Sequence, residues 1–99
     1  MTNKQVTVLA RVKAKPGMEE VVKKECLALV APSRVERGCI NYDLHRSAAD
    51  PSTFVFYENW TSREDLDRHL GSPYAHRFDE STKGMLDGPE EITFWEMIS

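Results

Sequence analysis

Ninety-nine residues, 40% apolar and 29% charged, describe one small globular domain spanning 1–99, with no room for a second core. The formal charge of −3 offers no basic surface to nucleic acid or an anionic membrane, and no apolar run approaches a membrane span. Cys26 and Cys39 show neither CxxC spacing nor a His/Cys cluster, and MTNKQVTVLARV lacks the apolar run of a signal peptide, so the chain reads as cytoplasmic with reduced, buried thiols.

Residues 5–13, QVTVLARVK, alternate as a strand with Val6, Val8, Ala10 and Val12 on one face. Pro16-Gly17 ends it, and Pro16 is suited to opening a helix because its missing N–H is not needed there. Met18, Val22, Cys26 and Leu29 then recur at helical spacing to about residue 30. Pro32 predicts a kink or frayed end at Ala31, and Gly38 suits termination because it tolerates positive φ. Residues 39–47, CINYDLHRS, alternate again, with Ile40, Tyr42 and Leu44 against Cys39, Asn41, Asp43 and His45. A turn built on Asp50-Pro51 leads into 53–60, TFVFYENW, which implies an antiparallel hairpin. Thr61 reads as an N-cap with Glu64 completing a capping box, and the following helix carries Leu66, His69 and Leu70 on one side before Gly71 stops it. Ser72-Pro73 opens a further helix with Tyr74, Phe78, Ser81 or Thr82, and Met85 in line. Gly88-Pro89 breaks it, and residues 91–98, EITFWEMI, alternate as a last strand.

The order β-α-β-β-α-β is the ferredoxin-like α+β arrangement, an antiparallel sheet with helices on one face. Such a sheet should be polar on its other face. Here Phe54, Phe56, Glu58 and Trp60 oppose Val55, Tyr57 and Asn59, while Ile92, Phe94, Glu96 and Ile98 oppose Thr93, Trp95 and Met97. Two apolar faces in so small a domain predict a homodimer packed sheet on sheet, a dimeric α/β barrel.

The ordered set PG at 16–17, GCINY from Gly38, DPSTF from Asp50, YENW from Tyr57, HLGSPY from His69 and GPEEI from Gly88 resembles the antibiotic biosynthesis monooxygenase family over nearly the whole chain. That resemblance implies a dimer with sheets face to face and a pocket between sheet and helices. The family's chemistry is mixed: cofactor-free oxygenases of polycyclic phenols or quinols, haem-degrading enzymes, and an isomerase of a phosphorylated sugar. Haem-degrading members carry an asparagine, a tryptophan and a haem-ligating histidine at places that here hold Ala10, His69 and Asp79. Trp60 matches a pocket tryptophan of the polyketide oxygenases, whereas their asparagine four residues earlier is Phe56 here.

The strand period of two places Phe56, Glu58 and Trp60 on one face, with Tyr42 on the neighbouring strand. His69, Tyr74 and Phe78 would descend from the helices, enclosing an aromatic cavity with a carboxylate, an imidazole and a phenol. Deprotonating a phenol or hydroquinone makes it electron-rich enough to reduce dioxygen without metal or flavin. His69 reads as the catalytic base, with Glu58 orienting it or acting as base itself; Tyr42, Phe56, Trp60, Tyr74 and Phe78 read as substrate-binding. The expectation is a cofactor-independent monooxygenase of a small aromatic hydroquinone or phenol, with dioxygen as co-substrate and no metal or other cofactor. The same groups suit an isomerase that shuttles protons on a small carbonyl compound, or a non-catalytic protein that binds a small ligand. His69 also reads as a core histidine satisfied by a carbonyl or by Glu58, and Glu58 as an anchor bonded to Tyr42 or backbone. Asp43 and His45 are too few for a metal, and Arg34, Glu36 and Arg37 read as a solvated helix end.

Overall fold

A computed structural model describes residues 5–99, so the reading of residues 1–4 as free of a targeting segment lies outside it. The order is β1 (Val6–Lys13), α1 (Glu19–Arg34), β2 (Cys39–Arg46), β3 (Thr53–Trp60), α2 (Arg63–Leu70), α3 (Pro73–Ser81) and β4 (Glu91–Trp95). All pairings are antiparallel, in the order β2-β3-β1-β4, with helices on one face, the expected ferredoxin-like α+β fold. Among the described residues no helix is long and apolar enough to cross a membrane.

The core forms where that face meets the helices. Val8, Ala10 and Val12 from β1 and Phe54, Phe56 and Trp60 from β3 are buried against Val22, Cys26 and Leu29 of α1. Burying each of the larger side chains is worth about 1.5–3 kcal/mol. On the open face Asn59 is also buried, because its amide joins a ladder: Gln5 Nε2 and Thr7 Oγ1 donate to Oδ1, and Nδ2 donates to Asn41 Oδ1 at 2.8 Å. That end of the face is polar, and its exposed aromatic surface is Tyr57 and Trp95.

Several local expectations shift. Cys39 pairs with Trp60 and Asn41 with Asn59, so Ile40 is an extra residue in a bulge. Cys39, not Ile40, therefore shares the helix-side face with Tyr42 and Leu44, and Ile40 is exposed. The helix α1 begins at Glu19, after the Pro16-Gly17 turn, and runs through Pro32. Proline removes one donor, but Ser33 is buried and Arg34 donates to the Tyr42 carbonyl and to Asp43, which holds the last turn in place. The cap of α2 is Ser62, one residue beyond Thr61. Its hydroxyl accepts from Asp65 N–H, and the Asp65 carboxylate accepts from the hydroxyls of both Thr61 and Ser62. Ser72 caps α3 and Pro73 opens it, as expected, but α3 ends at Ser81. Strand β4 stops at Trp95, because its ladder partner β1 begins at Val6 and Thr7 faces Trp95.

Candidate active site

A cavity of about 60 Å³ lies between the sheet and the α2–α3 pair. Its floor is Val8, Ala10, Tyr42, Glu58 and Ile92, with Glu90 just before β4. Its roof is Leu29 of α1, Leu66, His69 and Leu70 of α2, and Ala75, Phe78 and Asp79 of α3. Among the described residues no lysine or arginine lines it.

Of the residues expected here, the cavity wall brings together Tyr42, Glu58, His69 and Phe78. Phe56 and Trp60 lie behind that wall. Phe56 packs on Tyr42, ring centroids 5.2 Å apart, and the fully buried Trp60 lies 4.7 Å from the His69 ring. Tyr74 lines a separate small recess with Phe78 and Arg77. Burial and the neighbouring Glu36 carboxylate push its phenol up to about 12.

The polar contacts differ from the expected ones. Glu58 accepts a hydrogen bond from Trp60 Nε1 at 2.9 Å. His69 Nδ1 lies 2.7 Å from Glu36 Oε2, so the carboxylate that holds the imidazole is Glu36. Glu36 is no solvated helix end, since its side chain is only 13% exposed. With Nδ1 turned to the carboxylate, the tautomer that donates Nδ1–H to Glu36 leaves Nε2 as the acceptor. The Ser72 hydroxyl donates to the His69 carbonyl at 2.7 Å, which ties the end of α2 to the start of α3.

Burial governs the ionisation of the acids. It raises Glu58 to about 7 against the smaller opposing effect of the Trp60 N–H. Glu90 is raised by burial and then by the Asp79 charge. Burial, with the Glu58 charge second, raises the Tyr42 phenol and keeps it protonated at neutral pH. Glu36, Glu90 and Asp79 were not among the expected site residues. Glu90 had a signal, since it stands two residues before Ile92 and shares its face by the strand period. Glu36 had none, because only the tertiary approach of α2 to the turn between α1 and β2 brings it to His69.

Among the described residues no group of three His, Cys, Asp or Glu side chains is placed to hold a metal ion. Asp43 is engaged by Arg34 and by Asn41 Nδ2.

Residues 5–81 match the family described as antibiotic biosynthesis monooxygenase. The chain belongs to that family. The fold agrees: a crystal structure of PA3566 from Pseudomonas aeruginosa superposes with a TM-score of 0.93 at 32% identity, covering 100% of this chain and 99% of that one. The "Uncharacterized protein sll1783" of Synechocystis sp. is 33% identical over 93% of this chain, which spans only 63% of that relative's length. A protein of Escherichia coli K12 named "Probable quinol monooxygenase YgiN" is 26% identical over 80% of this chain and 86% of its own length.

Proposed function

We propose that this family member is a cofactor-independent monooxygenase acting on a small hydroquinone or phenol. One observation carries the reading: a buried carboxyl and a carboxylate-held imidazole share the wall of one cavity with Tyr42 and Phe78 and, among the described residues, with no lysine or arginine. Glu58 at about 7 is matched to proton transfer near neutral pH. It takes the first phenolic proton, and the Tyr42 hydroxyl donates a hydrogen bond to the resulting phenolate. The electron-rich ring passes an electron to dioxygen, and the radicals combine to form a carbon–oxygen bond. His69 takes the proton lost from that ring carbon as the oxygen–oxygen bond breaks. One oxygen atom stays on the ring and the other leaves as water, with both released protons, and the substrate supplies all four electrons.

The volume bounds the substrate. About 60 Å³ holds roughly two waters, whereas a cavity of about 150 Å³ holds benzene. A ring enters only as side chains at the wall move, which favours a single ring over a polycycle. The name of the E. coli relative, a quinol monooxygenase, agrees with that class. The lack of lysine or arginine in the lining disfavours a phosphorylated substrate. We place the protein in the cytoplasm, where the free thiols of Cys26 and Cys39 stay reduced. We further propose a homodimer through the open sheet face, where Tyr57 and Trp95 are exposed beside half-buried Leu9 and Val55.

The test is oxygen uptake by metal-free protein with single-ring hydroquinones, beside His69→Ala, Glu58→Gln and a protein-free control. Uptake above autoxidation that falls in both variants supports the proposal. Turnover of a carbonyl substrate under nitrogen, with no uptake, would instead establish the isomerase.

A further inference from the structure

We propose that the groove between α1 and the outer strand β2 is a second binding site, selective for a small carboxylate with a compact apolar body. Its volume is about 270 Å³, against about 60 Å³ for the cavity beneath α2 and α3. Lys23 and Leu27 of α1, Leu44, His45 and Arg46 of β2, and Phe54 of β3 line it. The fully buried Val22, Cys26 and Phe56 fill the core between α1 and the sheet, and among the described residues no side chain lines both spaces.

The groove and the cavity differ in their polar lining. The cavity holds Glu58, Glu90 and Asp79 and, among the described residues, no lysine or arginine. The groove sets two cations above an apolar floor of Phe54, Leu27 and Leu44. The Arg46 guanidinium carbon lies 5.1 Å from the centre of the Phe54 ring, a cation–π contact that holds the charge over the apolar floor. Both cations share one carboxylate: Glu20 Oε2 is 3.0 Å from Arg46 Nη2, and Glu20 Oε1 is 3.8 Å from Lys23 Nζ. One negative charge against two leaves the rim positive. The Glu20 side chain is 76% exposed, so its hold on them is weak and an incoming carboxylate can replace it. A planar guanidinium takes a carboxylate through two parallel hydrogen bonds. The volume exceeds the roughly 150 Å³ that encloses benzene, leaving room for one ring and its carboxylate.

The experiment is a titration of ¹⁵N-labelled protein with benzoate, with benzyl alcohol as the neutral control. Benzoate is expected to shift amides at residues 44–46 and 23–27 while leaving those around His69 and Ile92 unmoved. Glu20→Gln removes the competing carboxylate and is expected to tighten binding about threefold. Lys23→Gln with Arg46→Gln is expected to weaken it at least about tenfold. No shift at millimolar benzoate, equal shifts from benzyl alcohol, shifts confined to the cavity, or weaker binding in Glu20→Gln would each overturn the proposal. None of these readouts depends on oxygen uptake, so the site stands or falls apart from the monooxygenase reading.

Discussion

His69 Nδ1 lies 2.7 Å from Glu36 Oε2, although 33 residues separate them in the chain. The first belongs to α2 and the second to the turn after α1. Both side chains are largely buried, at 5% and 13% exposure, so their hydrogen bond is shielded from water. In the proposed mechanism Glu36 acts through His69, as a positioning residue. Glu36→Gln keeps the shape but removes the charge and allows the wrong tautomer of the ring. The expected outcome is a stability loss of about 1–3 kcal/mol by urea unfolding. Oxygen uptake is expected to fall in kcat with little change in KM. A variant with normal kcat would remove Glu36 from the proposed mechanism.

Under the proposed mechanism, Glu58 should make stability and activity move in opposite directions with pH. Its carboxyl rises from the ordinary 4.5 to about 7 because burial disfavours the charged form. The folded chain therefore holds a proton that the unfolded chain releases between those values. Stability from this group is full below about 4.5, falls as pH rises, and is lost above about 7, a change on the order of 3 kcal/mol. Glu58→Gln stays neutral and still accepts from Trp60, so it is expected to be more stable than the parent at pH 8 and equal to it near pH 4. The same variant is expected to lose about 10²-fold or more of oxygen uptake, having lost its base. Denaturation midpoints at several pH values would check the first expectation and oxygen electrode rates the second.

Asp50 and Asp65 shift the other way. Side-chain hydrogen bonds from Ser52 and Thr53 hold Asp50 down at about 2, and those from Thr61, Ser62 and Arg68 do the same for Asp65. Their contribution is present above about 3.8 and lost as pH falls through about 2. In an acid titration, Asp65→Asn is expected to lose part of the unfolding that the parent shows in that window.

Gly38 and Gly17 separate backbone strain from crowding. Both have positive φ, 88° and 87°, yet a Cβ on Gly17 meets nothing within 4 Å, whereas one on Gly38 would lie 2.2 Å from Asp65 Cγ. Gly17→Ala is expected to cost about 1–2 kcal/mol from the left-handed backbone alone. Gly38→Ala should cost clearly more, because Asp65 must also give up its capping bonds to Thr61 and Ser62. Equal midpoints for the two variants in urea would contradict the crowding argument.

The proposed dimer predicts a sedimentation change. Tyr57 is 39% exposed and Trp95 57% exposed on the open face of the sheet. Tyr57→Asp with Trp95→Asp should shift the protein toward monomer in analytical ultracentrifugation, because burying unpaired charge at an interface is costly. A parent that sediments as a monomer at micromolar concentration would end the proposal.

The strands, the helices and the face each residue occupies were legible locally. Alternation in VTVLARV and FVFYENW grouped Val8 with Ala10, and Phe56 and Glu58 with Trp60, because side chains on a strand repeat every two residues, and the structure turns both groups toward the helices. That rule failed at Ile40, where a bulge inserts a residue, since a bulge depends on how two strands meet. The capping position moved from Thr61 to Ser62 for a similar reason: both hydroxyls reach Asp65, and only the backbone path decides which is the cap.

Residue types and spacings alone determined the architecture, the aromatic character of the site and the presence of a carboxyl and an imidazole near it. Local periodicity encodes these, and each element carries its own copy of the pattern. Only the tertiary structure decided the partners. It set Glu36 on His69 and Glu90 at the cavity wall, and it placed Phe56, Trp60 and Tyr74 outside the lining. Glu36 and His69 come from separate segments, and their distance follows from how α2 packs beside the turn after α1, whereas Glu58 and Trp60 pair locally, two residues apart on β3. The depth at which that packing buries Glu58 also sets its ionisation, a property that no stretch of sequence carries by itself.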